Sequence, residues 1–322
     1  MIIYAAAVPA TPTLAFDPGA AYDEVKRLRT ALLYHDWPTL RQLLDAAEPG
    51  VRSHLVRFAA DWGGIELSLH DQLARAPEDP HVPVLLAARL IAAGWRIRGR
   101  AMASYVDDDR FAEFHDHLRR AEQLLIDVTA RHPDDVAAWT QRLLVARGLQ
   151  LGQAEARRRY DRLARHLPHH LPAQSALLQQ LCPKWGGGWE LAHAFARECA
   201  EAAPPGAGNA VLVVEAHLEE SMEAIDVVRR REHLRGPQVT AEIQAAAERS
   251  VSHEDFRHTY GWVAVRSTFA MAFHLMGEYR AARDQFEALG PYTDQAMFGY
   301  HGEWRAAFTR ARDESYARGG RR

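Results

Sequence analysis

Cysteine is scarce in this 322-residue chain: Cys182 and Cys199 are the only two, and both fall in one expected helix–bend–helix stretch. That excludes a disulfide framework and favours a reducing compartment. Lysine is nearly missing too, since Lys26 and Lys184 are the only lysines among 39 Lys+Arg. With alanine so abundant, this reads as the codon bias of a GC-rich genome and carries no mechanism. Neither charge is in excess. The formal net charge of −3 implies neither a nucleic-acid surface nor an acidic solvating tail. No run approaches the roughly 18 apolar residues of a membrane span, so no membrane partner is expected. The opening "MIIYAAAVPATPTLAFDPG" lacks a basic flank and is interrupted by proline. It reads as an extended arm over residues 1–18 of a cytoplasmic protein, not as a signal peptide. Strand signals are also sparse, because β-branched runs are short.

What is present is helical periodicity, built from alanine, leucine, arginine and glutamate, all good helix formers. In "DWPTLRQLLDAAEPG" (36–50), Asp36 can cap, Pro38 occupies the first turn, Leu40, Leu43 and Leu44 mark an apolar face, and Pro49-Gly50 ends it. Further along, a register repeats. Ala121, Leu125, Val128 and Pro133 are followed by Ala156, Tyr160, Leu163 and Pro168, then by Ala192, Ala196, Cys199 and Pro204. Each quartet has offsets 0, +4, +7 and +12, and successive alanines stand 35 and 36 residues apart. A fourth copy, Ala282, Phe286 and Leu289, has Asp294 where the proline would be. These offsets place three apolar side chains on one helical stripe, and the proline stops the helix. A period near 34 residues belongs to helix–turn–helix solenoids.

The segment "FAMAFHLMGEYRAARDQFEAL" (269–289) puts Gly277, Tyr279, Ala282 and Phe286 at the turn-glycine, aromatic, small and large apolar positions of the tetratricopeptide repeat (TPR). Trp139 sits near that family's tryptophan position. The chain therefore resembles a TPR-like helical repeat protein, most closely over 107–205 and 260–290. The combination "AAGWRIRGRA", "VARGLQLGQAEARRR", "LCPKWGGGWE" and "AERSVSHEDFR" is similar to an uncharacterised actinobacterial family, which brings no activity with it. The resemblance implies an all-α, right-handed α-solenoid of antiparallel helix pairs. It would have fourteen or fifteen helices in one continuous domain over residues 19–315, with a frayed tail at 316–322. It further implies a non-catalytic scaffold or adaptor whose concave face binds a protein or peptide. First-helix residues line that face in TPR relatives, and Thr140, Gln141, Gln179, Gln180, Arg266, Ser267 and His274 fall at those positions. The carboxylate clamp of chaperone-binding relatives is not implied, because glutamines stand where its Lys/Asn pair would be.

The most chemically suggestive stretch is "LCPKWGGGWELAHAFAREC" (181–199). Its lysine precedes the glycines and no Ser or Thr follows them, which is not the phosphate-loop spacing. Three glycines between helices read as a tight bend, with Trp185 and Trp189 filling gaps between repeats. The alternative is an enzyme or enzyme-accessory pocket along Cys182–Trp189, using Lys184, Trp185, Trp189, Glu190 and His193. Glu190 and His193 form the E-x-x-H half-motif of di-iron bundles, but the second such pair is missing. No metal or cofactor is therefore expected. "EFHDH" (113–117) and "RHLPHHLP" (165–172) read as surface and turn histidines, and the arginine runs at 156–165 and 227–235 as solvated helix faces. The expected helices include 207–232, 256–275 and 294–315, with Asp108 and Ser252 as caps.

Overall fold

The structure is a computed structural model that describes residues 14–99, 107–224, 226–295, 298–299 and 303–320. Among these residues the chain is all-α. Its helices are α1 (Asp23–Leu33), α2 (Trp37–Ala46), α3 (Pro49–Ala60), α4 (Glu66–Arg75), α5 (Val82–Arg98), α6 (Asp108–Arg131), α7 (Val136–Gly148) and α8 (Gln153–Ala164). They continue with α9 (Leu171–Leu181), α10 (Trp189–Ala202), α11 (Val211–Ser221), α12 (Val227–Leu234), α13 (Pro237–Arg249), α14 (Trp262–Met276), α15 (Tyr279–Leu289) and α16 (Trp304–Arg318). No helix among the described residues is long and apolar enough to cross a membrane.

The repeated register is the core. Ala121, Leu125 and Val128 of α6, Ala156, Tyr160 and Leu163 of α8, Ala192, Ala196 and Cys199 of α10, and Ala282, Phe286 and Leu289 of α15 are all buried. Alanine at the first position lets a neighbouring helix come close, and the larger residues fill the space one and two turns on. Consecutive helices pack together from α5 to α11, and alternate helices also meet: α7 touches α5 and α9, and α11 touches α9 and α14. Each of the largest enclosed side chains, such as Phe114, Phe269 and Phe308, contributes about 2–3 kcal/mol through removal from water.

Both ends of the described part of the chain are tied in. Ala15 donates its N–H to the Pro291 carbonyl at 2.7 Å, and Phe16 meets the Trp304 ring edge-on at 5.6 Å. Residues 15 and 16 of the extended arm therefore lie against the C-terminal segment, while Asp17 pairs with Arg29 of α1; residues 1–13 of the expected arm fall outside the described residues. At the other end, α16 runs to Arg318, beyond the expected helix end at 315. The Arg318 guanidinium donates to the Tyr279 hydroxyl, so this part of the expected frayed tail is held.

Several boundaries differ from expectation for identifiable reasons. The single helix expected over 207–232 is two, because the chain turns after Ser221 and Asp226 caps α12 by accepting from the Arg229 N–H at 2.9 Å. Ser252 caps nothing. Residues 251–261 are turns and irregular chain, and α14 begins at Trp262 after Gly261, whose φ of 91° favours glycine. The cap of α6 is Asp107, which accepts from the Arg110 N–H, and not Asp108. Finally, α16 starts at Trp304, where Glu303 caps Ala306, and not near 294.

Candidate functional site

The residues expected to line an open concave face are mostly enclosed. Thr140, Gln141, Gln180, Ser267 and His274 are buried, and Gln179 and Arg266 are half-buried. The reason is local packing. Helix α3 lies against α7, so Ser53 donates its hydroxyl to Thr140 Oγ1 at 3.5 Å and meets His170 Nε2 at 3.0 Å. Gln180 donates to the Trp185 carbonyl, Gln179 donates to Glu219 at 2.7 Å, and Arg266 donates to Gln285 at 2.7 Å. These bonds pair part of the group, while Gln180 Oε1, Arg266 Nε, Ser267 Oγ and His274 Nδ1 have no hydrogen-bond partner among the described residues.

The glycine-rich stretch is a bend. Gly188 N–H reaches back to the Leu181 carbonyl at 2.8 Å, Gly186 has a φ of 84°, and a Cβ on Gly187 would sit 1.9 Å from the Leu181 oxygen. Trp185 meets Trp95 edge-on at 6.1 Å, and Trp189 packs on the core. The groups of the alternative pocket point to different places. Cys182 is enclosed, its thiol is pushed up to about 12 by burial, and it donates to the Leu178 carbonyl. Lys184 reaches Glu219 at 2.6 Å, Glu190 is exposed, and His193 turns to Glu220 at 2.7 Å. A thiol held that high is not a nucleophile at neutral pH.

Two expected residues do face cavities, Arg266 and His274. His274 lines a space of about 410 Å³ between α12, α14 and α16, together with Val227, Arg230, Arg231, Met271, Leu275, Ala307, Arg310 and Ala311. Each helix supplies residues spaced i, i+3, i+4: Val227, Arg230 and Arg231; Met271, His274 and Leu275; Ala307, Arg310 and Ala311. That spacing puts each triplet on one helix face. The cavity thus combines aliphatic walls with three arginines and a histidine.

Its positive charges are only partly compensated: Glu314 stands 3.7 Å from His274 Nε2. Arg230, Arg231 and Arg310 form no ion pair among the described residues, and the buried Nε of Arg231 and Nδ1 of His274 have no hydrogen-bond partner there. Such groups cost about 1–3 kcal/mol each when left unpaired. Burial, reinforced by Arg231, Arg310 and Arg318 and opposed by Glu314, pushes His274 down to about 4, so its imidazole is neutral at pH 7. The hollow around Arg266 differs, because Arg280 and Arg283 there stand beside Asp284 and Glu287, and Arg283 pairs with Glu287 at 2.7 Å.

Arg230, Arg231 and Arg310 were not among the residues expected at a site. The run "VVRRREHLR" reads as a solvated face, and its arginines differ in role only once α16 brings Arg310 opposite them. The available signal was the i, i+3, i+4 triplet with Arg or His at i+3, present in three separate helices. No protein-family model, curated protein or solved structure matches the chain.

Proposed function

We propose that the chain is a TPR-like helical repeat protein, an adaptor that binds a protein or peptide partner without catalysing a reaction. In this reading its helices form antiparallel pairs in a right-handed superhelix. The buried 35- and 36-residue register supports that arrangement. The binding site is the cavity between α12, α14 and α16, and His274 is the residue shared with the concave face that the TPR resemblance implies.

The observation that carries the reading is the cavity's chemistry: arginines without carboxylate partners above a floor of Met271, Leu275, Ala307 and Ala311. Guanidinium groups recognise carboxylates through paired hydrogen bonds, and an aliphatic floor takes an apolar side chain. The ligand is therefore a peptide segment with an acidic group next to an aliphatic or aromatic residue. A volume of about 410 Å³ lies within the range of small-ligand pockets and holds a few side chains, not a folded domain.

Fluorescence anisotropy with labelled octapeptides tests this reading. Peptides pairing Asp or Glu with Leu or Phe should bind, and the same peptides with Lys in place of the acid should not. Equal binding of both sets, or no binding by either, would count against it.

A further inference from the structure

Where α10, α11, α12 and α13 meet, three histidines gather around two glutamates. Helix α10 brings His193, α11 brings His217 and Glu220 one turn apart on one face, α12 brings His233, and α13 brings Glu242. His193 Nε2 is 2.7 Å from Glu220 Oε2, and His233 Nε2 is 3.6 Å from that same oxygen. The His217 ring lies 4.4 Å from that of His193 and 6.0 Å from that of His233.

One donor atom from each of His193, His217 and Glu220 lies within 4.8 Å of the other two. Ligands of a tetrahedral zinc ion stand about 3.4 Å apart, given metal–ligand bonds of about 2.0–2.1 Å. The three donors thus need only a small inward movement. His217 is 6% exposed. Its Nε2 lies 3.1 Å from Glu242, while its buried Nδ1 and the buried Nε2 of His233 lack hydrogen-bond partners among the described residues.

We propose that His193, His217 and Glu220, with His233 as a fourth donor, form a binding site for a zinc-class divalent cation. Three nitrogens and one carboxylate oxygen suit Zn2+, whereas Ca2+ and Mg2+ take oxygen ligands. Glu242 serves as the outer carboxylate that orients the His217 ring, and it is itself held by Arg197 at 3.3 Å and Gln238 at 3.1 Å. Coordination takes over the contact that His193 and Glu220 now share, and the proton in that contact moves to the other ring nitrogen or to solvent. Four protein donors close the coordination sphere, so the ion ties α10, α11 and α12 together.

The test uses the full chain, freed of metal by a chelator and titrated calorimetrically with ZnCl2. Wild type should bind one equivalent and show a higher thermal midpoint with Zn2+. His193→Gln and Glu220→Gln, each confirmed folded by circular dichroism, should each bind at least tenfold more weakly. The proposal is overturned if wild type shows no saturable binding. It is equally overturned if the His193→Gln/Glu220→Gln double variant keeps wild-type affinity, which would place the ion on other histidines. If these variants do not fold, Co2+ titrated into wild type decides. The intense visible absorption of tetrahedral cobalt is expected, and the weak absorption of octahedral cobalt contradicts the site.

Discussion

Tyr22 and Tyr260 stack face to face, with ring centroids 4.5 Å apart and planes 9° from parallel. They join the start of α1 to the turn before α14. The Tyr22 hydroxyl accepts from the Gly261 N–H at 2.9 Å, and the Tyr260 hydroxyl donates to Glu24 at 3.0 Å.

This contact holds the N-terminal helices on the C-terminal half. Tyr22→Phe should cost about 1 kcal/mol, the value of one hydrogen bond. Tyr22→Ala should cost about 3–5 kcal/mol through the lost ring. Urea unfolding of the two variants measures both. Near-wild-type stability of Tyr22→Ala would show that the clamp contributes little.

Adjacent glycines of the bend should respond differently. Gly187→Ala drives a Cβ into the Leu181 backbone carbonyl, whereas a Cβ on Gly188 meets nothing within 4 Å. Gly187→Ala should therefore destabilise the chain by roughly 2 kcal/mol or more, and Gly188→Ala by under about 1 kcal/mol. Thermal unfolding of the pair checks this, and equal losses would contradict the bend geometry.

Acid should weaken the fold before the ordinary carboxylates protonate. Burial pushes His170, His217 and His274 down to about 4 and His54 to about 3. Each is depressed below its ordinary value of about 6.5, so the unfolded chain takes up protons that the folded chain refuses. Their contribution is full above pH 6.5 and is lost as pH falls from there toward 4. At pH 5 the loss amounts to up to roughly 2 kcal/mol per histidine. By contrast, Glu155, held down to about 2 chiefly by Arg158 and also by Arg159, loses its contribution only below about pH 4.5. Urea midpoints at pH 7.5 and 5.0 should differ clearly, and equal midpoints would refute the buried neutral histidines.

Both thiols should be inert in the native state. Burial pushes Cys182 and Cys199 up to about 12. A disulfide reagent such as Ellman's should react slowly with the folded chain and release two equivalents in denaturant. Rapid reaction of one native thiol would restore the bend as a reactive site.

The sequence discloses the helices and the repeat core well, because both depend on local spacing. Ala121, Ala156, Ala192 and Ala282 could be identified as close-approach positions from their register alone. The burial of Thr140 and Gln141 could not, since it depends on α3 lying across α7, a contact between segments some 90 residues apart in which Ser53 and Thr140 meet across 87. The arginine cavity was hidden for the same reason: Arg231 and Arg310 become one site only when α16 returns to α12. His217 and Glu220 did leave a trace as an H-x-x-E pair on α11. Its partner His193 belongs to another helix, so the pair had no visible third member.

The most direct measurement is the affinity of one acidic–aliphatic peptide for wild type, Arg231→Glu, Arg310→Glu and Arg283→Glu, all checked for folding. Arg283→Glu is the control, since Arg283 lines the hollow of mixed charge and not the proposed site. Charge reversal at Arg231 or Arg310 should weaken binding at least tenfold, about 1.4 kcal/mol, while Arg283→Glu binds like wild type. Undiminished binding by Arg231→Glu and Arg310→Glu would contradict the assignment of the partner site to this cavity.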